Sequence, residues 1–112
     1  MAKDLRWVGR SLDDLRNFPT TARREAGHQL HLVQLSLEPD DWRPMPSVGP
    51  SVAEIRVHDE SEQRVFYVAK FAEGVYVLHA FEKKSQKTAQ RDIDVGGQRL
   101  KELRQWRREE GL

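Results

Sequence analysis

The sequence predicts an α+β fold: a small, mainly antiparallel sheet, made of an N-terminal strand and a three-strand meander, packed against two N-terminal helices and a C-terminal helix. Changes of periodicity support this prediction. Apolar residues recur every three or four positions in the first third of the chain, every second position in the middle, and again at helical spacing near the end. At 112 residues we expect a single domain over residues 1–112.

The N-terminal third is predicted to form a short strand and two helices. The segment KDLRWVG alternates roughly between the two faces of a strand. Ser11 followed by Asp14 matches the Ser-x-x-acid capping pattern of a short helix, which Pro19 ends. A second helix, ARREAGHQLHLVQLSL, is expected after a cap at Thr20 or Thr21, with one apolar stripe toward the core.

The remainder is predicted to be a loop, three strands and a helix. The segment EPDDWRPMPSVGPS holds four of the five prolines and reads as a loop. The strands are VAEIRVH, RVFYVAKFA and VYVLHAF, the last two joined by a tight turn at Glu73-Gly74. A C-terminal helix begins at about Asp92, and Gly96 and Gly97 are expected to make it loose or bent.

Composition excludes several classes of protein. The net charge is only +1, although from Glu82 onward nine basic residues outnumber six acidic ones, which favours a polyanionic partner. The absence of cysteine excludes a disulfide framework, a thiolate nucleophile and a cysteine zinc site. His28 and His31 are spaced for a metal but lack further ligands, so we expect no metal or cofactor. Without a long apolar segment, we expect a soluble, cytoplasmic protein that does not bind membranes.

Four cations flank the predicted strands: Arg56, Arg64, Lys83 and Lys84. Arginine grips phosphate with a planar fork, whereas a lysine crowded by cations has a lowered pKa and can transfer a proton. The set therefore suits RNA cleavage by the substrate's own 2′-hydroxyl, with the arginines holding charge and a lysine acting as base or acid. A solvated strand end, where lysines discourage aggregation, explains the same residues.

Aromatic residues and a histidine lie among these cations. Tyr67, Tyr76 and Phe81 would stack on RNA bases if exposed, or fill the core if buried. His79 is predicted mid-strand on the face of Val77 and Phe81. We expect a half-buried, hydrogen-bonded imidazole there, with general acid–base catalysis as the alternative.

Several segments together resemble the HigB-like, phage-derived branch of the RelE toxin superfamily. They are WVGRSLDDLRNFP, EIRV, RVFYVAKF, GVYVLHAFEKKSQKT, RDID and GQRL, and LHAFEKKSQKT is the most specific of them. The resemblance implies a compact α/β fold with the catalytic face on the concave side of the sheet. It also implies a type II toxin that cleaves mRNA in the ribosomal A site without a metal. The implied partner is a HigA-type helix-turn-helix antitoxin, with which the toxin forms an oligomer.

Carried over by position, the resemblance places the catalytic residues at Arg56, Arg64, Lys83 and Lys84. The expected RNA-binding residues are Tyr67, Phe81, Lys87, Thr88 and Arg91. We expect Lys83, rather than Lys84, to face the phosphate, because an uninterrupted strand would place it on the face of His79 and Phe81.

Two other interpretations fit the sequence. The chain could keep this fold and bind an antitoxin or nucleic acid with weak or no cleavage, as its near-neutral charge suggests. It could also be a small phage-derived structural or regulatory protein unrelated to RNA.

Overall fold

The computed structural model describes residues 2–112. The elements follow in the order β1 (Asp4–Trp7), α1 (Ser11–Arg16), α2 (Thr20–Gln34), β2 (Trp42–Pro44), β3 (Val52–His58), β4 (Glu62–Val68), β5 (Gly74–Lys83) and α3 (Gln90–Glu109). The strands form one sheet in the order β1-β5-β4-β3-β2, in which β1 runs parallel to β5 and the other pairs are antiparallel. The predicted α+β class is confirmed, with one strand more than predicted.

Two connections differ from the prediction. The proline-rich segment is not all loop, because Trp42–Pro44 pairs with the middle of β3 as an edge strand, the position in a sheet where proline is tolerated. This strand places Arg43 opposite Glu54. The β4–β5 connection is a loop over residues 69–73 and not a tight turn at Glu73-Gly74.

The sheet has a separate core on each face, as the apolar central strands predict. Helices α1 and α2 cover one face, whose buried residues are Leu15, Phe18, Ala22, Ala26, Leu30, Val33, Ile55, Val57, Val65, Tyr67, Val75, Val77 and Ala80. Helix α3 and the β2–β3 loop cover the other, whose buried residues are Met45, Val48, Val52, Phe66, Val68, Tyr76, Leu78, Phe81, Leu100 and Leu103. We call these the α1/α2 core and the α3 core.

The N-terminal helices have different ends from those predicted. The Ser11 hydroxyl does not cap α1; it is buried and donates a hydrogen bond to the carbonyl oxygen of Val77 at 3.0 Å. Helix α2 begins at Thr20 without a side-chain cap bond and ends at Gln34, earlier than predicted. It stops there because Ser36 adopts a left-handed conformation with φ 62°, which a helix cannot contain.

The two glycines do not interrupt α3, which is one continuous helix. Gly96 is buried, and a Cβ atom there would lie 2.8 Å from Cγ1 of Val48 and 2.9 Å from Cδ2 of Phe66. The expected loose or bent helix is therefore corrected. Glycine at this position lets α3 approach the sheet closely.

A one-residue bulge in β5 decides which face its second half presents. Phe66 pairs with His79, whereas the next residue of β4 pairs with Val77, which leaves Leu78 without a partner in the ladder. Val77 accordingly lies in the α1/α2 core and Phe81 in the α3 core. The prediction that His79 and Phe81 share the face of Val77 is thus wrong.

Candidate nucleic-acid interface

Three neighbouring strands bring Arg56, Arg64 and Lys83 to one face of the sheet. Arg56 lies opposite Arg64 across β3 and β4, and Arg64 lies opposite Phe81 across β4 and β5. Lys83 lies two residues beyond Phe81 and pairs with Glu62. Directly opposed residues, and residues two apart along a strand, project to the same face. These positions make up the cationic face, which adjoins the α3 core.

Lys84 lies in the same region but belongs to the loop that follows β5. It follows the last residue of β5 and is exposed, whereas Lys83 belongs to the strand and is partly buried. The two lysines line a shallow cavity of about 390 Å³ together with Glu62, Arg64, Ser85 and Gln86. The structure therefore brings three of the four predicted catalytic residues into one depression, with Arg56 beside Arg64 in the sheet.

A buried carboxylate, Glu54, lies beside these cations with its side chain fully inaccessible to solvent. Its Oε1 accepts a hydrogen bond from Nε of Arg43 at 2.9 Å and another from Nε of Arg56 at 3.4 Å. Nε of Arg64 lies 3.7 Å from the same oxygen. Sequence reasoning did not single out Glu54. The available signal was a glutamate on the face of Arg56, two residues before it in the strand.

Arg64 is held inside the protein and does not extend from it. Its side chain is only 6% exposed. Nη1 donates to the carbonyl oxygen of Gln63 at 2.9 Å, and Nη2 donates to Oε1 of Glu62 at 3.2 Å. Among residues 2–112, Nε of Arg64 and Oε2 of Glu54 are buried without a hydrogen-bond partner. Such an atom costs about 1–3 kcal/mol, so the ion pair holds a fixed charge at an energetic cost.

The surroundings of Lys83 destabilise its charged form. Burial lowers the pKa of Lys83, and the positive charges of Arg64, Arg43 and Arg56 lower it further, whereas the carboxylate of Glu54 opposes this shift. A lowered pKa increases the fraction of neutral amine near neutral pH. A neutral amine can accept a proton and its conjugate acid can return one, which an arginine cannot do.

An exposed histidine links two carboxylates at the rim of the cationic face. Nε2 of His58 lies 2.5 Å from Oδ2 of Asp41, and Nδ1 lies 2.7 Å from Oε1 of Glu62. Hydrogen bonds to Asp41 and then to Glu62 raise the pKa of His58. The same carboxylates pair with Arg56 at 3.9 Å and Arg64 at 3.2 Å. The rim therefore places one carboxylate beside each of the two arginines.

Comparison with known proteins identifies the family. Residues 13–101 match the family described as "Phage derived protein Gp49-like (DUF891)". The chain belongs to the Gp49-like family. Among solved structures, the E. coli toxin RelE, in a mutant with two arginines changed to alanine and in the free state, matches with a TM-score of 0.60. Its sequence is 22% identical, and the alignment covers 84% of this chain and 97% of RelE, a likeness of fold. No curated protein matches significantly.

The Gp49-like protein does not expose the two aromatic rings expected to stack on RNA. Tyr67 lies in the α1/α2 core on the opposite face, 5% exposed, and burial, reinforced by the charge of Glu38, raises its pKa to about 12. Phe81 is on the cationic face but only 8% exposed. It packs against Phe66 at a centroid distance of 5.1 Å and against His79 at 4.9 Å. Base stacking needs an exposed ring, so these two expectations are corrected.

The other three predicted RNA-binding residues follow β5. Lys87 and Arg91 are exposed, but neither lines the cavity beside Lys83. Thr88 is half-buried, and its hydroxyl has no hydrogen-bond partner among the residues described. It does not cap α3, whose N-cap is Ala89.

His79 of the Gp49-like protein belongs to a buried network that joins β5 to both helical layers. Its Nε2 lies 2.8 Å from Oδ1 of Asp92, and its Nδ1 lies 3.4 Å from Nη1 of Arg99. Nη1 of Arg99 also donates a hydrogen bond to Oδ2 of Asp14 at 2.8 Å. The hydrogen-bonded imidazole expected from the sequence is present, buried more deeply than predicted.

No helix within residues 2–112 combines the length and the apolar character needed to cross a membrane.

Proposed function

We propose that this Gp49-like protein is the toxin of a type II toxin–antitoxin system, of the HigB-like branch, and that it cleaves mRNA on the ribosome without a metal. One observation carries the proposal: Arg56, Arg64 and a Lys83 of lowered pKa converge on one face of the sheet. The Gp49-like family and the RelE-like fold support it.

The proposed reaction needs charge stabilisation and two proton transfers. The ribose 2′-oxygen attacks the adjacent phosphorus and loses its proton, while the bond to the 5′-oxygen breaks and that oxygen gains a proton. Arg56 and Arg64 stabilise the negative charge that develops on the phosphorane oxygens. Lys83 transfers one of the protons, and Lys84, in the adjoining loop, is the candidate for the other. Lys87, Thr88 and Arg91 extend the RNA contact along the chain.

The proposed partners follow from the same likeness. The cavity beside Lys83 is shallow, so the ribosome would supply the orientation of mRNA that the protein surface does not impose. A HigA-type helix-turn-helix antitoxin would neutralise the toxin in an oligomeric complex. A protein that acts on ribosomes would work in the cytoplasm.

A second function is favoured by the pairing of the cations. Arg64 is nearly inaccessible and contacts both Glu54 and Glu62, and Arg56 contacts Glu54 and Asp41. Acid groups so close to the cations reduce the positive charge available to a phosphate. This arrangement suits a protein of RelE-like fold that binds an antitoxin or nucleic acid with weak or no cleavage.

Induced expression in a bacterial host separates these functions. For the toxin we expect growth arrest and new transcript ends within translated regions, both lost in Arg56→Ala and Lys83→Ala. Lys101→Ala, which removes an exposed lysine of α3, is the matched control and should remain toxic. Co-expression of a helix-turn-helix protein encoded beside the toxin gene should restore growth. Normal growth with intact transcripts, at confirmed protein levels, would favour the binding function.

A further inference from the structure

We propose that Glu54 is a positioning residue of the cationic face, which holds the arginine side chains in a fixed array from the buried side. The proposal builds on the endoribonuclease function proposed above. It adds an acidic residue to a site that the sequence describes as purely basic.

The burial of Glu54 calls for a reason beyond packing. Its side chain is fully inaccessible, and carboxylates are almost never so deeply buried unless they are paired. Its backbone lies between Arg43 of β2 and Phe66 of β4 in the sheet. The side chains that pair with the Glu54 carboxylate are Arg56 of the cationic face and Arg43 of the adjoining strand β2.

The pairing uses one side of each guanidinium group. Arg43 and Arg56 both donate through Nε to the same oxygen of Glu54, at 2.9 and 3.4 Å. The terminal nitrogens of Arg43 make no hydrogen bond to the residues described, and those of Arg56 approach only Asp41, at 3.9 Å. Because the fork of an arginine has two donor edges, Glu54 can fix one edge and leave the other for a phosphate.

The charge of Glu54 also counters repulsion within the array. Arg56 and Arg64 are directly opposite in the ladder, an arrangement that like charges destabilise. Arg64 is itself 6% exposed, so its charge needs a counter-charge nearby. We therefore expect that removal of the Glu54 charge moves the guanidinium groups apart or reorients them, while the backbone of the sheet stays unchanged.

Glu54→Gln tests the proposal, because it keeps the shape and removes the charge. If Glu54 only offsets positive charge, the variant should bind an RNA oligonucleotide more tightly and cleave ribosome-bound mRNA at least as fast as wild type. If Glu54 positions the arginines, the variant should bind RNA as tightly as wild type or more tightly, but its kcat should fall by about 10- to 100-fold. A fall of this size is typical when reacting groups are misplaced. A wild-type kcat in Glu54→Gln would overturn the proposal.

Two further variants control for general damage. Glu73→Gln makes the same change in a glutamate that pairs with Arg107 at 2.7 Å, just before β5 and at the far end of that strand from Lys83. It should bind and cleave like wild type, and an equal fall in its kcat would contradict the proposal. Glu54→Asp keeps the charge should the glutamine variant not fold. Its shorter side chain should still lower kcat, and an unchanged kcat would count against positioning.

A measurement on the free protein separates failure of this proposal from failure of the proposed function. The ε-carbon of Lys83 can be titrated by NMR in wild type and in Glu54→Gln. Lys83 is surrounded by Glu54, Arg43, Arg56, Arg64 and Glu62, and only Glu54 changes. We expect titration at lower pH in the variant, together with faster solvent exchange of the Nε protons of Arg43 and Arg56. The lower titration follows from the lost charge alone, so the faster exchange at Arg43 and Arg56 is the result that would support positioning, even if wild type cleaves no RNA. Unchanged exchange at both arginines would refute positioning in an active enzyme as well.

Discussion

Arg56 lies directly opposite Arg64 across β3 and β4, and the Nε atoms of both lie near one oxygen of Glu54, at 3.4 and 3.7 Å. Two like charges directly opposite each other in an antiparallel strand pair destabilise that pair unless an opposite charge lies nearby. The register of β3 and β4 thus sets the spacing of the two guanidinium groups, and a buried carboxylate makes that spacing tolerable.

Lys83→Ala should impair ribosome-dependent cleavage more than Lys84→Ala. Lys83 is on the face of Arg56 and Arg64 and has a lowered pKa, whereas Lys84 is exposed in the loop that follows. Loss of a general acid or base typically costs about 10²- to 10⁴-fold in rate, and loss of an exposed charge near the substrate costs less. Single-turnover cleavage of mRNA on purified ribosomes measures both rates.

The comparison of the two lysines requires that both variants fold. Neither side chain is buried in a core, so their unfolding midpoints should stay close to that of wild type. Equal losses of rate, or a larger loss for Lys84→Ala, would show that the loop lysine performs the proton transfer.

The sequence alone does not determine which lysine lies on the same face of the sheet as Arg64. Alternation counted from Val77 places Lys83 on the α1/α2 side, away from Arg64, and only the bulge at Leu78 moves it to the arginine side. The segment VYVLHAF contains no glycine or proline that would signal a bulge. The sequence did relate Lys83 correctly to Phe81, because both lie beyond the irregularity.

The fold class was predictable because helical and strand periodicities are local properties of the chain. The acidic part of the site was not predictable from the sequence. Glu54 lies beside Arg43 because β2 pairs with β3, and β2 is a three-residue strand inside a proline-rich segment. The burial of Tyr67 was not predictable either. Residues on both faces of a doubly covered strand are apolar or aromatic, so the pattern does not distinguish a core tyrosine from an exposed one.

Gly96→Ala should destabilise the protein, and Gly97→Ala should not. An added Cβ at Gly96 would overlap Val48 and Phe66, so α3 or its neighbours must move, which costs about 1–3 kcal/mol of the free energy of unfolding. The nearest atom to a Cβ at Gly97 is the carbonyl oxygen of Val48 at 3.6 Å, an ordinary contact. That substitution should add about 0.5–1 kcal/mol through helix propensity. Urea unfolding of both variants measures the difference, and equal stabilities would disprove the packing argument.

Removing the charge of Glu73 should destabilise the protein at neutral pH but not in strong acid. Hydrogen bonds from Arg107, at 2.7 and 3.1 Å, lower the pKa of Glu73 from 4.5 to about 2. A carboxylate whose pKa falls on folding stabilises the protein above the unfolded pKa, and this stabilisation is lost as the pH falls through the folded one. The stability gap between wild type and Glu73→Gln should therefore be constant above pH 4.5 and close toward about pH 2.

Thermal unfolding of wild type and Glu73→Gln at a series of acidic pH values would reveal that closure. Glu109→Gln, at the exposed end of α3, provides a control in which an accessible carboxylate is lost. A gap for Glu73→Gln that does not change with pH would show that the pair contributes through packing, such as the contact of Arg107 with the ring of Phe71 at 3.6 Å, and not through charge.

The bridge formed by His58 should make stability depend on pH in the opposite sense. Its pKa is raised above 6.5 by hydrogen bonds to Asp41 and then Glu62. A histidine whose pKa rises on folding stabilises the protein fully below the unfolded value, and this contribution is lost as the pH rises through the folded pKa. Wild type should therefore have a higher unfolding midpoint than His58→Asn. This difference should be largest below pH 6.5 and should become smaller as the pH rises above that value. His28→Asn, which removes an exposed histidine of α2, is the matched control. A gap that widens with rising pH would mean that neutral His58 is the form that joins the two carboxylates.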